Sequence, residues 1–139
     1  PIPRFHIPGV ILGDGIAPRK DPRIVSQIDM APTLLSLMGI SADYPMLGKD
    51  LTRMPADWPG RAIMQYDKNF ALMRGKDVVI LQPERAPEGF IYEDATETLT
   101  PAPQPGAMKD AALGLVLWGS LAYQQGLYRT AQDSRLALN

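Results

Sequence analysis

The stretch Asp29-Met-Ala-Pro-Thr-Leu-Leu-Ser-Leu-Met-Gly39 constrains the fold more than any other part of this sequence. It predicts a helix over residues 29–38. Asp29 is placed to act as N-cap, where a carboxylate accepts free backbone N–H groups and the helix dipole favours negative charge. Pro32 falls in the first turn, where its missing donor breaks no internal bond. Leu34, Leu35, Leu37 and Met38 supply an apolar stripe, and Gly39 suits the left-handed residue that ends a helix. Upstream, residues 5–12 (Phe-His-Ile-Pro-Gly-Val-Ile-Leu) read as a buried strand with Pro8 near its start. The near-continuous apolar run 9–12 is the pattern of a strand covered on both faces of a parallel sheet. Gly13-Asp14-Gly15 is turn chemistry, and a charged loop at 18–22 leads on to the helix. Strand, loop and helix in this order predict an α/β layer.

Residues 41–60 read as an irregular connection broken by Pro45, Pro55, Pro59 and Gly60. Three short strands are then predicted at 62–66, 70–74 and 78–81, with a fourth at 89–92. The turn residues between them give the spacing of an antiparallel meander. Pro101, Pro103 and Pro105 mark 96–106 as an extended linker. Residues 107–131 show helical periodicity through Leu113, Val116, Leu117, Leu121 and Tyr128. Gly114, Gly119 and Gly126 interrupt it, and are read as points of close packing against a sheet. The tail 129–139 is expected to fray. The chain thus divides into a strand–loop–helix–loop segment (1–60), antiparallel strands (61–95), a Pro-rich linker (96–106) and a C-terminal helix with its tail (107–139). There is no internal repeat.

With 139 residues, of which 45% are hydrophobic and 21% charged, the chain has the size and composition of one globular domain. A formal charge of −1 offers no electrostatic footprint for nucleic acid or anionic lipid. Cysteine is absent, which removes disulfides and thiolate chemistry. The longest mainly apolar run, 111–123, falls short of the ~20 residues a membrane span needs, and reads as a buried helix. The chain begins at Pro1 without a leader, so it is expected to be a piece of a longer protein.

The single histidine, His6, is read as a structural or surface residue. No serine stands in a Gly-x-Ser-x-Gly elbow, and Ser26, Ser36, Ser41, Ser120 and Ser134 have no nucleophile context. Asp14, Asp21, Asp29, Asp43, Asp50, Asp57, Asp67 and Asp77 are scattered, mostly near Gly or Pro, without calcium-loop spacing. Turn and cap duty accounts for each. Arg19, Lys20 and Arg23 are candidates for an anion, although three basic residues in one loop are usually just solvated. Trp118 and Tyr123 read as helix core. These residues describe an α/β fragment without a self-sufficient active site.

Four segments carry a resemblance to a known family. They are His6-Ile-Pro-Gly-Val-Ile-Leu-Gly13, Val25-Ser26-Gln27-Ile28-Asp29-Met30-Ala31-Pro32-Thr33-Leu34-Leu35, Leu37-Met38-Gly39-Ile40 and Gly48-Lys49-Asp50-Leu51. In order and interval they resemble the sulfatase family, and more narrowly its phosphoglycerol transferase and lipoteichoic acid synthase branch, within the alkaline phosphatase superfamily. The match covers residues 5–51; the remainder is similar only in general style. The resemblance implies the C-terminal part of an alkaline-phosphatase-like α/β fold. It also implies a parent enzyme that transfers phospho or sulfo groups using a divalent metal (Mn²⁺, Mg²⁺, Ca²⁺ or Zn²⁺).

In such enzymes the nucleophile lies early in the domain, and an Asp-His metal pair stands just before the Ile-Pro strand. This chain has no Asp-His pair. No catalytic residue and no metal ligand is therefore carried over, substrate-binding residues stay unknown, and no cofactor is expected on this chain itself. Asp29 keeps the helix-cap role. The implied partner is the rest of the parent catalytic domain, or a second copy through exposed apolar surface, with no nucleic acid and no membrane span here. The branch further implies a parent at the periplasmic or other extracytoplasmic face of the membrane. The alternative expectation is a stand-alone structural or protein-interaction module without catalysis.

Overall fold

The computed structural model describes residues 2–41 and 45–129. Its centre is one five-stranded antiparallel sheet in the order β1-β2-β3-β4-β5, with β1 Ala62–Tyr66, β2 Asn69–Arg74, β3 Asp77–Leu81, β4 Glu88–Glu93 and β5 Thr98–Pro101. The predicted meander is therefore present, with each of the four expected strands within a residue of its place. Register follows from tight connections: Tyr66 pairs with Asn69 and Arg74 with Asp77, leaving two-residue turns. Asp67 (φ 53°) and Gly75 (φ 56°) open those turns in the left-handed conformation that short hairpins need.

Alternation along the strands gives the sheet two apolar faces. One gathers Met64, Met73, Val78 and Tyr92, with Ile2, Phe5 and Ile24 from the N-terminal segment packed on them. The other gathers Leu72 and Val79, covered by Met108, Ala111, Ala112 and Leu115 of a long helix, α2 (Gly106–Gln125). Leu72, Val78 and Val79 have at most 1% of their surface exposed. Burial of each such side chain contributes about 1.5–3 kcal/mol before entropy is counted. Between β5 and α2 the chain crosses directly over Gly89, where any side chain would overlap the Ala102 carbonyl and Gln104. Gln104 fixes that crossing by donating from Nε2 to the Phe90 carbonyl (2.8 Å) and to Asp77 Oδ1 (3.1 Å).

Both sheet edges are managed. Ala102 N–H bonds the Gly89 carbonyl, so alternation turns the backbone nitrogen of Pro101 towards the open side of β5. A proline there removes a donor that would otherwise recruit another strand. Beside β1, Ile24 forms a short parallel bridge with Gly60.

The capped helix is present as α1 (Met30–Leu37), preceded by a 3₁₀ turn at Gln27–Asp29. Gly39 (φ 69°) ends it as expected, with Gly39 N–H bonded to the Ser36 carbonyl and Ile40 N–H to the Leu35 carbonyl. Four expectations need correction. Residues 5–12 do not form a strand: a 3₁₀ turn spans Ile2–Phe5, and Ile7, Val10 and Leu12 are 63%, 77% and 90% exposed. A strand requires a ladder partner; Pro8 has no donor, and the sheet edge nearest the N-terminal segment is already occupied by Ile24. The second correction concerns 96–106, which is not wholly a linker, because Thr98–Pro101 is β5.

The third is Gly114 and Gly119, which have open space around them rather than a sheet, while Gly126 (φ 67°) ends α2. Finally, α2 meets the sheet through Met108, Ala111, Ala112 and Leu115, so Leu113, Leu117, Leu121 and Tyr123 face outward. The shorter side chains let the helix approach the sheet closely; the larger stripe is exposed among the described residues. Asp43, Ser134 and the tail 130–139 lie outside the described residues.

Candidate functional site

The polar centre of the molecule is Asp29, whose side chain is fully buried. It stands at the N-cap position of α1, as expected, but its carboxylate bonds no N–H of that helix. Its Oδ2 instead accepts Ser26 N–H (2.9 Å), while Asp29 N–H bonds the Ser26 carbonyl (2.9 Å), closing the 3₁₀ turn from both ends. Oδ1 accepts Lys49 N–H (2.7 Å) and lies 3.4 Å from Arg61 Nη2. One carboxylate thus ties together the entry to α1, the Gly48–Leu51 loop and the start of β1. A buried charge is tolerable only with such a complete set of partners.

Ser26 and Thr33 extend the arrangement. Ser26 Oγ donates to the Arg61 carbonyl (3.1 Å) and accepts Ile63 N–H (3.0 Å), so the hydroxyl continues the bridge at β1. Thr33 Oγ1 donates to the Asp29 carbonyl (2.6 Å) and accepts Leu51 N–H (3.0 Å). Gly48 passes so close to the Ile28 carbonyl and Pro32 that a Cβ would not fit. Arg61 Nη2 also donates to the Leu47 carbonyl, whereas Arg61 Nε is buried with no acceptor among the described residues. Each of these oxygen atoms is engaged by the chain's own backbone. The cluster is built to hold loops, and leaves no carboxylate or hydroxyl aimed at a substrate.

Arg23 is likewise committed. Its Nε and Nη2 bind Asp21 at 2.9 and 2.6 Å, and its guanidinium reaches the carbonyls of Leu51, Met54 and Pro55. The anion-binding reading of the 19–23 loop therefore loses its best donor, and Arg19 and Lys20 are simply exposed. The Arg23 hydrogen bonds hold the Asp21 carboxyl at a pKa of about 2, below its ordinary 3.8. A depressed carboxylate pKa stabilises the fold above the unfolded value and loses that contribution as pH falls through the folded one. Asp21→Asn is thus expected to destabilise the chain by up to about 1 kcal/mol at pH 7. The difference from wild type should close between pH 4 and 2, measured by urea midpoints across that range. At Asp50, burial pushes the pKa up, but hydrogen bonds from Thr52 and Ser36 and the charge of Arg53 outweigh it and leave it lowered. Asp14 and Asp67 occupy turns, and Asp77 accepts from Gln104. His6 is exposed.

The divalent ion implied for the parent finds no fit in these donors. Among the described residues no three His, Cys, Asp or Glu side chains come together to hold one. Both oxygens of the one deeply buried carboxylate are taken by N–H groups.

No family model matches the chain. Among solved structures, the chain is similar to a crystal structure of a protein in the alkaline phosphatase superfamily from Vibrio parahaemolyticus. The two are 41% identical over 86% of this chain, with a TM-score of 0.80. The fold is that of a fragment of an alkaline-phosphatase-like domain. The chain spans 29% of the length of that neighbour. In this alkaline-phosphatase-like fragment, the residues shared with the resemblance motifs bring together Ser26, Asp29, Thr33 and Gly48 as a structural junction. Sequence reasoning missed Arg61, which stands outside those motifs, and missed that Ser26 and Asp29 act on distant loops. Gly48 followed by Lys49 was the available signal, since a glycine in a polar loop marks a close backbone approach.

Proposed function

We propose that this chain is the C-terminal portion of a metal-dependent phospho- or sulfo-transfer enzyme of phosphoglycerol transferase type, and that it is inactive alone. The observation that carries this is the 41% identity to an alkaline phosphatase superfamily protein more than three times as long as the matched part. Its role is structural: it completes the catalytic domain, while the nucleophile and the metal ligands come from the remainder of the polypeptide. The exposed apolar residues Ile7, Val10 and Leu12 support that partner, because they lie on a segment without regular secondary structure and are 63%, 77% and 90% exposed. The enzyme is placed at the extracytoplasmic face of the membrane, in keeping with the resemblance.

The test is turnover of phosphodiester, phosphomonoester and sulfate ester substrates with added Mn²⁺, by this chain and by the longer polypeptide that contains it. The expected result is a silent chain and a longer protein whose activity is lost with chelator and regained with metal. A longer protein that is also silent on every substrate would shift the weight to a non-catalytic interaction module. Turnover by the isolated chain would overturn the claim that its reacting groups lie elsewhere.

A further inference from the structure

Gly13-Asp14-Gly15 turns the chain between the exposed apolar segment at 7–12 and the region anchored by the Asp29 junction. The turn is closed by Ile16 N–H to the Gly13 carbonyl at 3.4 Å, longer than a well-formed hydrogen bond. Residues 12–22 are all exposed. Gly15 lies at φ 75°, and a Cβ built on it would meet no heavy atom within 4 Å. Among the described residues the Gly15 N–H has no acceptor and the Asp14 carboxylate no donor.

An aspartate followed by glycine is open to attack on its side-chain carboxyl by the next backbone nitrogen. No Cβ shields that nitrogen, and glycine backbone rotates freely into place. Asp14-Gly15 is the one such pair in the sequence, and Asn-Gly does not occur. Other aspartates are protected by identifiable means. Asp21 precedes Pro22, which has no N–H to give up. The nitrogens after Asp50 and Asp57 are engaged, Leu51 N–H by Thr33 Oγ1 and Trp58 N–H by the Pro55 carbonyl. Asp29 is buried, Asp77 opens β3, and Asp110 lies within α2. Asp67 and Asp94 stand in turns, but Lys68 and Ala95 after them carry side chains.

We propose that Asp14 is a site of spontaneous backbone rearrangement, closing on the Gly15 nitrogen to a cyclic imide and reopening as isoaspartate. The nitrogen bonds to Cγ, while the amide proton leaves with the carboxyl hydroxyl as water. One water then adds at either imide carbonyl. Addition at the Asp14 main-chain carbonyl breaks its bond to nitrogen, so the chain continues through Cβ and Cγ and a free α-carboxylate remains. Water is lost and regained, and the mass is unchanged. The product carries one extra main-chain atom between the 7–12 segment and α1. Its α-carboxylate is the group esterified by methyltransferases that repair isoaspartate, and that is the class of enzyme the site would take. The chemistry is independent of any catalytic role of the longer polypeptide.

Trypsin isolates the site as the 5–19 peptide, because Arg4 and Arg19 flank it and no lysine or arginine lies between. After prolonged warm incubation of the folded chain at neutral pH, a second peptide of identical mass is expected. It should resist cleavage before residue 14 by an aspartate-specific protease, and accept a methyl group from S-adenosylmethionine through an isoaspartyl methyltransferase. Its rate of formation should match that of the synthetic 5–19 peptide, because the turn shields neither reacting atom. Asp14→Glu should lose the methyl acceptance while keeping the wild-type circular dichroism spectrum. A folded chain that converts far more slowly than the peptide would show that the turn protects the pair, and would overturn the proposal. So would isoaspartate that appears first at Asp67 or Asp94, or methyl acceptance that persists in Asp14→Glu.

Discussion

Replacing Asp29 by alanine is expected to lower stability by about 3–5 kcal/mol, the cost of removing one partner from a buried ion pair. The substitution leaves Ser26 N–H, Lys49 N–H and the guanidinium of Arg61 without the acceptor they share. Domains of this size are stable by only about 5–15 kcal/mol, so the variant is expected near the edge of unfolding. Asp29→Asn should fall between the two, because an amide offers one acceptor oxygen where the carboxylate offers two. Urea unfolding midpoints of the three proteins check the order. A loss below about 1 kcal/mol for the alanine variant would mean that the junction is not held as described.

Gly60→Ala is expected to be nearly as damaging, by a different route. Gly60 sits at φ 74°, and its Cβ would overlap the Ile24 carbonyl at the bridge beside β1. Left-handed backbone on a residue with a side chain costs about 1–3 kcal/mol. Displacing the Ile24 strand segment adds about 1–3 kcal/mol more. The same movement pulls Ser26 away from Ile63 and Arg61, so the Asp29 junction is expected to loosen with it. A Gly60→Ala, Asp29→Asn double variant should lose less than the sum of the two single losses, measured by denaturation, because both act on one network. Full additivity would separate the bridge from the junction.

The meander was legible because its signals are local. Asp67-Lys68 and Gly75-Lys76 fix two turns, and the β-branched and aromatic runs between them allow one register. The end of α1 was legible for the same reason, through Gly39. What failed depended on partners distant in sequence. Asp29 does stand at the N-cap position of α1, yet its oxygens are taken by the Ser26 amide and by Lys49 and Arg61, two partners that the local sequence does not bring near. The face of α2 was misread because the large residues Leu113, Leu117 and Leu121 make the more conspicuous stripe, whereas the sheet takes the smaller Ala111 and Ala112 alongside Met108 and Leu115. Thr98–Pro101 looked like linker because prolines suit linkers, yet an edge strand accepts Pro101 where its missing donor points outward.

The segment at 7–12 is the opposite case. Its apolar sequence has the composition of a doubly covered strand, and in this chain it has no regular secondary structure, with Ile7, Val10 and Leu12 exposed. The two facts agree if its sheet belongs to the rest of the polypeptide. Hydrogen exchange at the amides of Ile7 and Gly9–Leu12, compared between this chain and the longer protein, tests that directly. The account predicts exchange near the unprotected rate in the chain alone and strong protection in the longer protein, at the level of its most stable strands. Rapid exchange of these amides in both proteins would contradict it.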